Sequence, residues 1–179
     1  MKKQFKTIQP IKQKGAILVT GLILLLVLTL IGVSGMQNVT LTEKMTSNMR
    51  DTHLAFQAAE SALTDGEQWL LAQTQQPVGV DTCSAPPCLL WDSSTLGNVS
   101  SMSQSWWQTQ ATSYSSNLYG LTSQPQYVLE EFTFVPYELS PEARAKGQGY
   151  HYYKVTAKGS GKQTGSNIIL ESIFATQYN

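Results

Sequence analysis

The sequence predicts an α+β fold in which one long N-terminal α-helix packs against a small antiparallel β-meander, with an irregular αβ-loop between them. Three observations predict it. Residues 16–36 are an uncharged apolar run. Residues 37–72 continue without proline in a helical pattern. Residues 127–179 hold three strand-like runs separated by turn residues.

The chain has 179 residues, enough for one domain plus a membrane segment. Charged residues make up 13%, against about 25% in an ordinary globular domain. Part of the deficit is local, since no charge occurs between Lys14 and Glu43. Five of the 12 basic residues (Lys2, Lys3, Lys6, Lys12 and Lys14) precede position 15, and none of the 12 acidic ones does. Beyond that stretch, seven basic groups face 12 acidic ones, a net of −5. A mildly acidic head lacks the clustered Lys/Arg that non-specific nucleic-acid binding requires, so no specific nucleic-acid partner is expected.

The first element is a short basic leader, residues 1–15, followed by the apolar run. As a helix the run spans roughly 32 Å, about one hydrocarbon core. It has no polar face, so it does not read as the core helix of a soluble domain. The lysines before it and Glu43–Lys44 after it place the N-terminus in the cytoplasm and the rest outside. An ordinary secretory signal has a shorter apolar region and then a small-residue cleavage site. Gly32, Ser34 and Gly35 can imitate such a site, so a cut there is one alternative and an unprocessed single-pass anchor another.

The junction Lys12-Gln13-Lys14-Gly15-Ala16 argues against both. A basic leader that ends in Gly directly before an apolar run resembles the class III signal peptide of type IV pilins, which prepilin peptidase cuts on the cytoplasmic side. The resemblance implies cleavage between Gly15 and Ala16, N-methylation of Ala16, and retention of the apolar segment. It also implies a pilin-like fold. Most major pilins carry Glu at the fifth mature position, where it pairs with the terminal amine of a neighbouring subunit. Here that position is Thr20, which cannot form such a pair. The resemblance therefore implies a minor subunit, at the tip or in an initiation complex, rather than a bulk polymer subunit.

The helix is expected to continue through residues 37–72. Leu41, Met45, Met49, Thr52, Phe56, Ala59, Leu63 and Leu70 fall near a 3.6-residue period. Glu43, Lys44, Arg50, Asp51, Glu60 and Asp65 fall largely elsewhere. One helix from residue 16 to about residue 72 would be roughly 85 Å long. Gly32 and Gly35 are places where it can loosen. Many pilins have a proline at the equivalent of Gln37, and this chain does not.

Residues 40–63, TLTEKMTSNMRDTHLAFQAAESAL, resemble the N-terminal region of PilX-type minor pilins. The shared pattern EKM-x-x-NMRD-x-x-x-AFQAAE-x-AL is met by Glu43, Lys44, Met45, Asn48, Met49, Arg50, Asp51, Ala55, Phe56, Gln57, Ala58, Ala59, Glu60, Ala62 and Leu63. With the leader, the resemblance covers about residues 12–63. By themselves, Arg50 and Glu60 read as a solvated helix face or as helix-to-sheet ion pairs, with a subunit contact as the sharper alternative.

Residues 73–126 are rich in Gln, Ser, Thr and Pro and form the irregular αβ-loop with some short helix. Cys83 and Cys88 are the only cysteines. They suggest a disulfide in an oxidising compartment and free thiols otherwise. A metal site is the weaker reading, because only His53 and His151 are available as further soft ligands. Trp106 and Trp107 invite a stacking hypothesis. The blander expectation is that one packs on the helix and the other covers the sheet. Asn98-Val99-Ser100 matches a glycosylation sequon and carries little weight in a bacterial setting.

Three strands follow, over residues 127–135, 149–158 and 167–175, with a Gly-rich turn at 159–165. In the middle strand Tyr153, Val155 and Ala157 share one face, and Tyr152, Lys154, Thr156 and Lys158 the other. The segment YHYYKVTAKGSG and then NIILES resembles the terminal strands of PilX-type proteins.

No GxSxG, HExxH, Walker loop or GxGxxG is present. Glu130 and Glu131 point to opposite faces of a strand and make a poor acid/base pair. No enzyme activity and no cofactor are expected. The resemblance implies a minor pilin that primes type IV pilus assembly, and so serves twitching motility, adhesion or DNA uptake. Its implied partners are the PilV, PilW and FimU types of minor pilin, a PilY-type tip adhesin, the major pilin, prepilin peptidase and the inner membrane. Its implied location is the bacterial inner membrane as a single pass with a periplasmic head, then the pilus fibre or tip. A minor pseudopilin of type II secretion and a tip ligand-binding module are the competing readings.

Overall fold

A computed structural model describes residues 15–163 and 165–178. The leader residues 1–14 and Thr164 of the expected turn lie outside the described residues, as does the side chain of Gln37. The chain divides into two units, residues 1–47 and 48–179.

In the first unit, the described residues after Gly15 belong to α1 (Ala16–Leu71), which runs unbroken through Gly32 and Gly35. With no proline and a dense run of Leu, Ile and Val, nothing interrupts its backbone ladder. Its apolar side chains stand exposed, among them Leu22, Leu24, Ile31 and Met36. The interspersed hydroxyls fold back on the helix. Thr20 Oγ1 donates to the carbonyls of Ala16 and Ile17, at 3.0 Å each, and Thr29 donates to Leu26. Polar groups satisfied within their own helix suit a lipid environment, and the segment is long and apolar enough to cross a membrane.

In the second unit, the rest of α1 lies on a sheet of β3 (Gln126–Pro136), β4 (Gly149–Ser160) and β5 (Asn167–Thr176). These form the expected antiparallel meander. Two short strands extend it. β1 (Leu90–Asp92) runs parallel to β3, and β2 (Thr112–Ser113) pairs antiparallel with β3, giving the order β1-β3-β4-β5. The alternation expected over residues 131–135 is broken by a bulge at Phe132, between Glu131 and Thr133.

The helix face that meets the sheet differs from the apolar stripe read from sequence. Asp51, Ala55, Ala58, Ala59, Ala62, Gly66 and Leu70 are buried, while Met49 and Phe56 are 62% and 43% exposed. Size decides this rather than hydrophobicity. A Cβ on Gly159 would sit 2.2 Å from the Ala55 carbonyl oxygen and 2.3 Å from the Ala59 nitrogen. Helix and strand backbones thus touch, and only small residues fit between them. At the other end Gly66 meets Val155, Leu129 and Tyr127, which join Tyr153, Ala157 and Leu70 in the first core.

The αβ-loop segment covers the opposite face of the sheet. It carries α2 (Ser93–Leu96), a 3-10 turn (Val99–Ser101) and α3 (Gln104–Gln110). Each begins on a capping side chain: Asp92 accepts from Ser94 N, Asn98 from Ser100 N, and Ser103 from Trp106 N. The sequon asparagine is therefore a cap. Trp91, Leu96, Val99, Trp107 and Ala111 pack on Val128 as a second core. That layer buries Thr156 and Lys158, so the meander is covered on both faces at this end.

Candidate functional site

The residues singled out in the 43–63 segment separate into two sets. Asp51, Ala55, Ala58, Ala59 and Ala62 are buried by the sheet. Glu43, Lys44, Met45, Asn48, Met49, Arg50, Phe56, Gln57 and Glu60 are exposed. Among the described residues, no ion pair involves the side chain of Arg50 or Glu60, so the expected helix-to-sheet ion pairs are not formed. Both stand on a solvated helix face.

Asp51 ties the helix to the β4–β5 turn. Its Oδ1 accepts from the Lys162 backbone N–H at 2.5 Å, and its Oδ2 from that of Gln163 at 3.2 Å. The Ser166 hydroxyl, these two amides and the Lys162 charge hold its carboxyl below the usual carboxylate range, against the opposing pull of burial. Gly161 makes room for it, since a Cβ there would lie 2.7 Å from Asp51 Oδ1. The 114–125 loop joins the same junction, with Thr122 N and Oγ1 both bonding the Gly161 carbonyl. Sequence reasoning counted Asp51 with the polar face. The available signal was the Gly-rich turn around Lys162 and Gln163, whose amides need an acceptor.

Three further bonds fasten helix and linker to the sheet. Ser172 Oγ donates to Glu67 at 2.5 Å. Glu131 accepts from Gly79 N and from Gln76. Glu130 lies on the other face, fully buried, with Lys154 Nζ at 2.8 Å from its Oε2. Burial pushes its carboxyl up, and Lys154 pulls it partly back. The two glutamates thus point apart and serve separate contacts.

Cys83 and Cys88 are joined as a disulfide, Cα to Cα 5.8 Å. It borders the second core, where Trp91 Nε1 donates to the Cys88 carbonyl at 3.1 Å. Trp107 is fully buried beneath Lys158, whose ammonium is 5.5 Å from the ring centroid. Trp106 stacks edge-on with Trp107 and faces Trp91. Neither tryptophan packs on the helix, because the whole α3 segment lies across the sheet from it. His53 is exposed and His151 buried beside Phe134. Burial holds the His151 imidazole below its usual value. Among the described residues no group of His, Cys, Asp and Glu is arranged to hold a metal ion.

The arrangement is one of surfaces: an apolar helix, a head latched to its continuation, and exposed side chains on that helix. Comparison with known proteins agrees with a structural role. Residues 14–64 match the family model for the PilX N-terminal region, and residues 45–176 match that for the C-terminal region of the type IV pilus assembly protein PilX. No curated protein and no solved structure matches the chain.

Proposed function

We infer the role of this chain from one premise: it belongs to the PilX family of type IV pilus assembly proteins. It acts as a minor pilin. Prepilin peptidase cuts between Gly15 and Ala16, and Ala16 becomes N-methylated. The apolar part of α1 holds the protein in the inner membrane, with the head in the periplasm, until the helix leaves lipid for a bundle of like helices. The observation that carries this reading is the exposed apolar helix directly after a Gly-terminated basic leader in a chain of this family.

Thr20 spends its hydroxyl on its own helix and offers no charge to a neighbouring amine. This supports a place at the tip or in an initiation complex, where no subunit above supplies that amine. The partners are the PilV, PilW and FimU types of minor pilin, a PilY-type adhesin and the major pilin. The test is the intact mass and N-terminal peptide of the protein from membranes of cells with and without prepilin peptidase. A methylated N-terminus at Ala16 that requires the peptidase is expected. An intact Met1 in both strains, or a cut near Gly35, would overturn the reading.

A further inference from the structure

The two edges of the sheet are treated differently. Beyond β3 lie the short strands β1 and β2, which lead into the capped turns of the second layer. The other edge is bare. β5 pairs with β4 through ten consecutive positions without a bulge, and no strand adjoins its outer side among the described residues. It contains no Pro and no Lys. Bulges, Pro and Lys are the usual means of blunting an edge strand, and an edge without them is a template for another strand.

The helix completes a ledge beside this edge. Ser172 bonds Glu67, which fixes the flank of α1 that looks toward β5. Phe56 and Leu63 share that flank by helical spacing, Phe56 exposed and Leu63 half-buried. On the opposite face of β5, Ile173 is 63% exposed and Glu171 is exposed beside it. A strand laid against β5 would therefore have apolar surface on both of its faces.

We propose that the free edge of β5, with the adjoining flank of α1, is a strand-addition site for an extended segment of another pilus protein, alternating apolar residues with Lys or Arg. Backbone pairing supplies the affinity, and the alternate side chains supply the selection. Charge names the occupant. Glu60, Glu67 and Glu171 border the ledge, and none of them takes part in an ion pair among the described residues. A second copy of this chain does not complement them, because β5 itself carries no basic residue. The proposal rests on the pilus reading above for the class of partner.

The test uses the full chain in cells that assemble pili, with a photoreactive residue at Ile173 and, as control, at Thr95 across the head. The expected result is an adduct from Ile173 to an extended, basic and apolar segment of another pilus protein, identified by mass spectrometry of the joined peptides. Glu171→Lys should lower its yield about three- to tenfold, because an attraction becomes a repulsion. The unmodified chain gives a second readout. Amide hydrogen exchange in β5 should slow at least about tenfold in assembled pili relative to the detergent-solubilised protein. An adduct with a second copy only, an adduct indifferent to Glu171→Lys, or unchanged exchange in β5 would overturn the proposal. Loss of the Ala16 N-terminus would instead mark failure of the pilus reading, so the two failures are distinct.

Discussion

Gly159→Ala tests whether backbone contact sets the distance between helix and sheet. The added Cβ would lie 2.2 Å from the Ala55 oxygen and 2.3 Å from the Ala59 nitrogen, where ordinary contact begins at 3.4 Å. Both atoms are backbone, so no rotamer change relieves the clash, and α1 must lift by about 1 Å. A gap of that size forfeits about a quarter to a half of each contact's attraction along the alanine face. Overpacking a tight core costs about 1–3 kcal/mol, and this site belongs at the upper end. The lower entropy of an unfolded Ala chain returns about 0.4–1 kcal/mol. The net is about 2 kcal/mol, which lowers Tm by about 8 °C for a unit of this size. Thermal unfolding of the full-length protein in detergent, followed by circular dichroism, reads it directly. Gly165→Ala is the control, since a Cβ there meets nothing within 4 Å. If Gly159→Ala melts within about 2 °C of the unaltered protein, backbone contact does not hold the two layers at this spacing.

Three other perturbations address separate parts of the head. Asp51→Asn keeps the shape but removes the charge. The folded Asp51 has a lowered pKa, so its stabilisation is complete above the unfolded value near pH 4 and fades as pH falls through the lower folded value. Denaturant melts from about pH 2 to 7 should show a lower plateau at neutral pH for Asp51→Asn and a shallower acid fall than the unaltered chain shows. Replacing Cys83 and Cys88 with Ser opens a ring of sequence separation 5, which costs about 2 kcal/mol by loop entropy. Melts with and without reductant should converge only in the double variant. Trp107→Ala leaves a void in the second core, because that ring is fully buried. It should cost about 3–5 kcal/mol, and exchange should quicken in the 90–111 segment before it does in β4.

The long helix, the three strands and the disulfide were legible because each rests on a local signal. Length and absence of charge mark the apolar half, absence of proline lets the helix continue, and strand alternation with Gly-rich turns marks the meander. The orientation of the helix was not legible. A hydrophobicity pattern ranks Met49 and Phe56 above Ala55 and Ala58, yet the sheet selects the alanines because Gly159 brings backbone against backbone. That choice depends on two residues about a hundred positions apart, and neither window contains it. The second layer escaped for a related reason. β1 and β2 are three and two residues long, too short for periodicity to register, and Trp107 gives no sign of which face it will cover.

Rotation of the helix also changes what the segment from Glu43 to Leu63 means. Had the Met and Phe positions faced the sheet, the family pattern would be accounted for by the fold of one chain. Instead, intrachain packing explains Asp51 and the four alanines and leaves Met49, Arg50, Phe56 and Glu60 standing in solvent. Exposed apolar side chains interleaved with unpaired charges on one helix are costly to leave bare and cheap to cover with a complementary surface. Substitution there should separate the two sets. Met49→Ser or Arg50→Ala should leave the melting temperature within about 2 °C of the unaltered chain, since exposed positions shift stability by about 0.5 kcal/mol or less, while reducing recovery of the protein in purified pili. An equal loss of stability and of incorporation would mean that these side chains serve the head alone.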